Sequence, residues 1–151
     1  MPELLPLRCV LLVDDNRITR FLHRRLIVRL GIAEHVLEAT NGEEALALVH
    51  AQCADDFRTC PDLILLDVRM PVLDGFGFLE EYRALPEAQQ CAKVVALLTT
   101  SWHPRDKNRA AQWVIADYLI KPLTADQLSA LLKDRFVPAR LLPLNAPSPN
   151  P

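Results

Sequence analysis

The sequence predicts an α/β protein, a doubly wound parallel sheet with helices on both faces. Three observations predict it. Short, wholly apolar runs recur along the chain, as strands covered on both faces require. Each is followed by a longer segment whose apolar residues recur at helical spacing. Five such strand-then-helix units succeed one another, and that alternation argues for parallel strands joined by crossover helices. The 151 residues suffice for one domain, and half of them are hydrophobic, enough to bury a core.

The first strand is the run Cys9–Val13. Asn16 caps the helix that follows to about Leu30, in which Ile18, Phe21, Leu22, Leu26 and Leu30 recur at helical spacing, and Gly31 ends it. His35–Ala39 is the second strand. Asn41-Gly42 turns the chain into a helix from Glu43 to about Cys53, with Ala45, Leu46 and Val49 inward, and Ala54–Pro61 is a polar loop. Asp62–Leu66 is the third and clearest strand, Asp67–Asp74 a loop, and a helix runs on to about Ala84. Pro86–Ala92 leads to the fourth strand, Val94–Leu98. After the loop Thr99–Pro104, with Pro104 in a first turn, a helix runs to about Val114. Asp117–Ile120 is the fifth strand and Lys121-Pro122 breaks it. Thr124 caps the last helix, to about Arg135, with Leu128, Leu131 and Leu132 apolar. The domain is thus expected over residues 8–135, with 136–151 a Pro-rich, extended tail.

Lys plus Arg number 17 against 19 Asp plus Glu, a net charge of −2, which argues against bulk-electrostatic nucleic-acid binding. No apolar run reaches membrane-span length, and Met1–Arg8 lacks the features of a secretory signal, so a cytoplasmic protein without membrane insertion is expected. The four cysteines, at 9, 53, 60 and 91, show no C-x-x-C spacing. They are expected as free thiols in a reducing compartment, with no zinc site and with Cys9 a small core residue.

The chemistry-bearing residues stand where strands stop. The first strand ends in Asp14-Asp15 and the third in Asp67. If those strands are neighbours, three carboxylates share one cleft, and like charges that close call for a cation. All-oxygen donors suit Mg2+. Thr99 ends the fourth strand and Lys121 the fifth. A cleft holding Mg2+, an acceptor carboxylate, a hydroxyl and an ammonium can stabilise a phosphoryl group in transfer.

Four pieces carry a resemblance: Val13-Asp14-Asp15-Asn16, the stretch Leu66–Gly75 containing Met70-Pro71, Leu98-Thr99-Thr100-Ser101, and Tyr118–Pro122. In this order and spacing they resemble the receiver domain of two-component response regulators, over about residues 8–135. The resemblance implies a flavodoxin-like sheet of order 2-1-3-4-5. It implies that Asp67 is the phosphoacceptor, that Asp15, Asp67 and the Arg69 carbonyl bind Mg2+, and that Asp14 acts mainly through metal-bound water. Thr99 and Lys121 would contact the phosphoryl group, and Thr99 and Tyr118 would form the switch. The Lys121-Pro122 bond is expected to be cis. Arg69 and Ser101, two residues beyond Asp67 and Thr99, match positions that in the family tune dephosphorylation, so the resemblance implies that role for them. The segment Trp113–Asp117 departs from the family pattern by lacking a glycine, and Trp102-His103 makes the preceding loop bulky.

The implied partners are a histidine kinase or histidine phosphotransfer protein and an unknown output protein. Arg17, Arg20 and Arg24, near one face of the first helix, are either solvated or a docking face for the phosphodonor. Trp102 and Trp113 are expected to be partly core. With no DNA-binding segment after residue 135, the reading is a single-domain response regulator in a phosphorelay, not an enzyme with a separate substrate. It would be a monomer, or a dimer promoted by phosphorylation. Two rivals are a receiver-like interaction module that is never phosphorylated and a phosphotransferase or phosphatase with a nucleophilic Asp.

Overall fold

Period-two alternation along the three central strands sets the core. Leu11, Val13, Ile64, Leu66, Val95 and Leu97 point to one side of the sheet, where they pack with Ala45, Val49, Phe76, Phe78, Leu79 and Ala110. Val10, Leu12, Leu63, Leu65, Ala96 and Leu98 point to the other, against Ile27, Leu128 and Leu131. The structure is a computed structural model that describes residues 7–53, 60–86, 90, 92, 94–100, 102–113 and 117–135. Its elements are β1 (Leu7–Val13), α1 (Arg17–Leu30), β2 (Ala33–Ala39), α2 (Gly42–Cys53), β3 (Leu63–Asp67), α3 (Gly75–Arg83), β4 (Val94–Thr99), α4 (Pro104–Ala110), β5 (Asp117–Ile120) and α5 (Ala125–Arg135). All strands are parallel, in the order β2-β1-β3-β4-β5. Helices α1 and α5 cover one face and α2, α3 and α4 the other. The expected tail 136–151, Ser101 and the segment 114–116 lie outside the described residues.

Element bounds follow the sequence reading closely except at α4, which ends at Ala110. There Gln112 and Trp113 donate to the carbonyls three residues back, tightening the turn. That turn lays Trp113 against the core, where the Arg83 guanidinium lies 4.5 Å from its ring centroid.

The apolar stripe of α1 is not its buried face. Asn16 caps the helix through Thr19 N–H, and Gly31, at φ 64°, closes it. The buried residues are His23 and Ile27, whereas Ile18, Phe21, Leu22, Val28 and Leu30 are exposed. The register is set by polar contacts on the inward side. Arg20 donates to the Asp14 carbonyl at 2.7 Å, and Arg20 and Arg24 both pair with Glu38 of β2, at 3.3 and 3.1 Å. These two arginines are therefore not simply solvated, while Arg17 is exposed.

The expectation of free thiols is corrected for one pair. Cys53, at the end of α2, and Cys60, just before β3, are joined in a disulfide, both buried, with their Cα atoms 4.7 Å apart. Single-sequence spacing did not mark this pair, because fold packing alone brings the helix end over the strand start. Cys9 is free and buried, its thiol pushed up to about 11 by burial and by Asp62. Closing so short a loop restricts the unfolded chain. Reducing the disulfide is expected to lower stability by about 2 kcal/mol. Denaturant midpoints with and without reductant, beside a Cys60→Ser variant, check this.

Val72 has φ 71°, a region β-branched residues avoid, and it sits at the centre of a γ-turn closed by Leu73 N–H to the Pro71 carbonyl at 2.8 Å. The Leu73 carbonyl accepts from Gly42 N–H at 2.8 Å, so the start of α2 holds the turn in place. Val72 is 74 % exposed and buries little in return. Val72→Gly is expected to stabilise the fold by about 1 kcal/mol by relieving this strain. An unchanged or lower urea midpoint would count against it.

Candidate phosphoacceptor site

Strand pairing brings the acidic residues together. Val13 of β1 is in register with Leu66 of β3, so Asp14 and Asp67 leave the sheet side by side at its carboxyl edge. The carboxylates of Asp14, Asp15 and Asp67 lie within 4.8 Å of one another. Asp14 and Asp67 are buried and Asp15 is exposed at the mouth. Asp14 is fixed on several sides. Its N–H donates to the Ala39 carbonyl, and its Oδ1 accepts from Asn16 N–H at 2.9 Å. The Oδ1 of Asp67 accepts weakly from Arg69 N–H at 3.4 Å. Beneath Asp67 the chain passes so closely that a Cβ on Gly75 would stand 2.5 Å from the Asp67 carbonyl oxygen, so only glycine fits there.

Lys121 reaches in from the end of β5. Its Nζ lies 2.5 Å from Asp14 Oδ2 and 3.1 Å from Asp67 Oδ2, bridging the two buried carboxylates. The direct pair with Asp14 is a contact the sequence reading did not anticipate. The Lys121-Pro122 bond is cis, and Lys121 N–H donates to the Thr99 carbonyl at 2.8 Å. Thr99 is buried beside this edge, where it pairs in register with Ile120. Tyr118 is 39 % exposed and meets the half-buried Trp102 edge-on, ring centroids 5.2 Å apart. Trp102 and Trp113 both pack against the core, as expected.

Burial and the neighbouring Asp14 charge raise the Asp67 pKa, with Lys121 opposing. Burial alone would lower Lys121, but its pairing with Asp14 and then Asp67 outweighs this and raises it. Three carboxylates against one ammonium leave a charge of about −2, which one divalent cation would neutralise. The donor set is all oxygen, from two strand ends and the following loop, and fits Mg2+.

Two residues near the site went unnoticed in the sequence. Asp106, in the first turn of α4, is buried and pairs with Arg69 at 2.9 Å; from sequence it reads only as an acid favourable at a helix start. His23, buried on α1, accepts from Leu123 N–H at 3.3 Å and so supports the chain just after the cis bond. Burial lowers its pKa from the ordinary 6.5, with Asp14 opposing and Lys121 assisting. The unfolded chain therefore takes up more protons, and this contribution to stability is lost as pH falls below 6.5. His23→Gln keeps an acceptor but cannot titrate. It is expected to flatten the fall in stability between roughly pH 7 and 5, as urea midpoints across that range would show.

The acidic cluster bridged by Lys121 lies at the carboxyl edge of a parallel sheet of order β2-β1-β3-β4-β5, and comparison with known proteins places this arrangement. The chain matches the response regulator receiver domain over residues 10–133, and it belongs to that family. It is 31% identical over 142 residues to the ycf27 protein of Porphyra purpurea, covering 93% of this chain and 52% of that one. It is 30% identical over 124 residues to the sensor histidine kinase CheAY of Helicobacter pylori, covering 82% of this chain and 14% of the kinase. The chain thus spans about half or less of these two relatives. Among solved structures, a two-component response regulator from Cytophaga hutchinsonii matches with a TM-score of 0.77 and 27% identity, over 86% of this chain and 97% of that one. Among the described residues no helix is long and apolar enough to cross a membrane.

Proposed function

We propose that this receiver domain takes a phosphoryl group on Asp67 from the phosphohistidine of a histidine kinase or phosphotransfer protein, and signals by protein–protein contact. The observation that carries this is the buried Asp67 carboxylate, held by Lys121 at 3.1 Å beside Asp14 and Asp15. An Asp67 oxygen attacks phosphorus and forms an acyl phosphate. The P–N bond breaks, and the imidazole nitrogen keeps the electron pair and takes up a proton. Hydrolysis returns Asp67 as a carboxylate and releases inorganic phosphate. Lys121 holds the acceptor and then pairs with a phosphoryl oxygen, and the Thr99 hydroxyl contacts another. Asp14, Asp15, Asp67 and the Arg69 carbonyl would hold Mg2+, which when bound neutralises charge on the phosphoryl oxygens. Thr99 and Tyr118 form the switch, a shift between two populations rather than a new fold.

The exposed stripe Ile18, Phe21 and Leu22, beside Arg17 and Arg25 on the helix that leaves the Asp14–Asp15 edge, supports docking of the phosphodonor there. The test is intact mass after incubation with acetyl phosphate, with and without Mg2+, beside Asp67→Asn. One phosphoryl adduct that needs both Mg2+ and Asp67 is expected. A folded protein with no adduct from acetyl phosphate or candidate kinases would instead be a receiver-like interaction module. Turnover of a small phosphoester would favour an enzyme.

A further inference from the structure

We propose that the Arg69–Asp106 ion pair is a latch between the phosphoacceptor loop and α4, opened when a phosphoryl group on Asp67 draws the Arg69 guanidinium away from Asp106. The inference rests on the reading of Asp67 as the phosphoryl acceptor.

Arg69 is tied to both partners in this competition. Its backbone N–H lies 3.4 Å from Asp67 Oδ1, and its side-chain nitrogen lies 2.9 Å from Asp106 Oδ2. Its side chain is 67% exposed, so it can turn without disturbing the core. Asp106 is the buried partner, its side chain only 12% exposed. Helix α4 buries Asp106 and Ala110, so this carboxylate is the charged group on its inward face and needs a counter-charge there. One turn on, Arg109 lies over the Phe76 ring at 4.2 Å, a second guanidinium contact on the same side. These residues line a half-open crevice of about 430 Å³ between the loop and α4, which gives the Arg69 side chain room to swing.

The physical drive is charge. An acyl phosphate carries about −1.5 to −2 where the Asp67 carboxylate carried −1, and it presents oxygens with which guanidinium pairs well. Once Arg69 leaves, Asp106 is a buried carboxylate without its counter-charge, an unfavourable state unless α4 shifts to hydrate it. A local charge change thereby becomes a helix displacement. Linkage is reciprocal: whatever weakens the Asp106 hold on Arg69 must strengthen binding of a phosphoryl group at Asp67.

The experiment is a titration of fluoroberyllate, a phosphoryl mimic, in the presence of Mg2+, read by 19F NMR of the bound species and by tryptophan fluorescence. Wild type, Asp106→Asn, Arg69→Ala and the double variant are compared. Asp106→Asn removes the competitor and is expected to tighten mimic binding about fivefold or more. Arg69→Ala is expected to weaken it, and in that background Asp106→Asn should have no effect. Asp106→Glu keeps the charge and should bind the mimic as wild type does. Equal effects of Asp106→Asn with and without Arg69, or none in either, would overturn the latch while leaving the acceptor reading intact. If Asp106→Asn does not fold, Arg69→Lys against Arg69→Ala decides: equal loss in both overturns the latch. Wild type that binds no mimic at Asp67 would overturn the acceptor reading and the latch together.

Discussion

Lys121→Met is expected to destabilise the protein by about 3–5 kcal/mol at neutral pH, the largest effect of any change at the site. The lysine ammonium bridges two buried carboxylates, at 2.5 Å from Asp14 and 3.1 Å from Asp67. Methionine fills similar space but leaves both charges without a counter-ion in a place water reaches poorly. Burial and Asp14 already raise the Asp67 pKa against the pull of Lys121. Without the lysine that rise grows, the folded state binds protons more readily, and the deficit shrinks as pH falls toward the carboxylate range. Added Mg2+ should also recover part of it, because a cation bound only by the folded chain stabilises by mass action. Urea midpoints from acid to neutral pH, with and without Mg2+, would show this. A loss well under 1 kcal/mol that does not vary with pH would mean Lys121 is not the counter-charge of the site.

The readable part of this molecule is the part written in short-range pattern. Apolar runs such as Leu63–Leu66 have few alternatives to a buried strand, and the residues following them are fixed at the carboxyl edge of the sheet. Strand order alone therefore places Asp14, Asp67, Thr99 and Lys121 at one edge. The misread part depends on partners distant in sequence. The apolar residues of α1 suggest an inward face, but Arg20 and Arg24 turn the helix toward Glu38 and bury His23 instead. Asp106 looks like a helix-start acid until Arg69, 37 residues away, is seen against it. The Cys53–Cys60 pair carries no spacing signal of its own and exists because α2 lands over the start of β3.

Asp67→Asn is expected to do two opposite things. It should abolish the phosphoryl adduct completely, and in the absence of Mg2+ it should make the protein more stable. The second follows from the sign of the Asp67 shift. Its folded-state pKa is raised above the ordinary 3.8, first by burial and then by Asp14. The folded state therefore holds the proton more tightly than the unfolded chain, and stability falls as pH rises through that window. At neutral pH the ionised carboxylate carries its full penalty, which asparagine removes while Lys121 keeps its pair with Asp14. A gain on the order of 0.5–2 kcal/mol is typical of such relief at a functional site. The gain should vanish in acid, where wild type is protonated as well. Mg2+ should narrow the gap by stabilising wild type more than the variant, because asparagine removes one of the three clustered carboxylates. Thermal or urea unfolding of both proteins with and without Mg2+ is the measurement. If the variant is instead less stable without Mg2+, the Lys121–Asp67 contact outweighs burial and repulsion. Asp67 would then contribute to the fold rather than being retained at its expense.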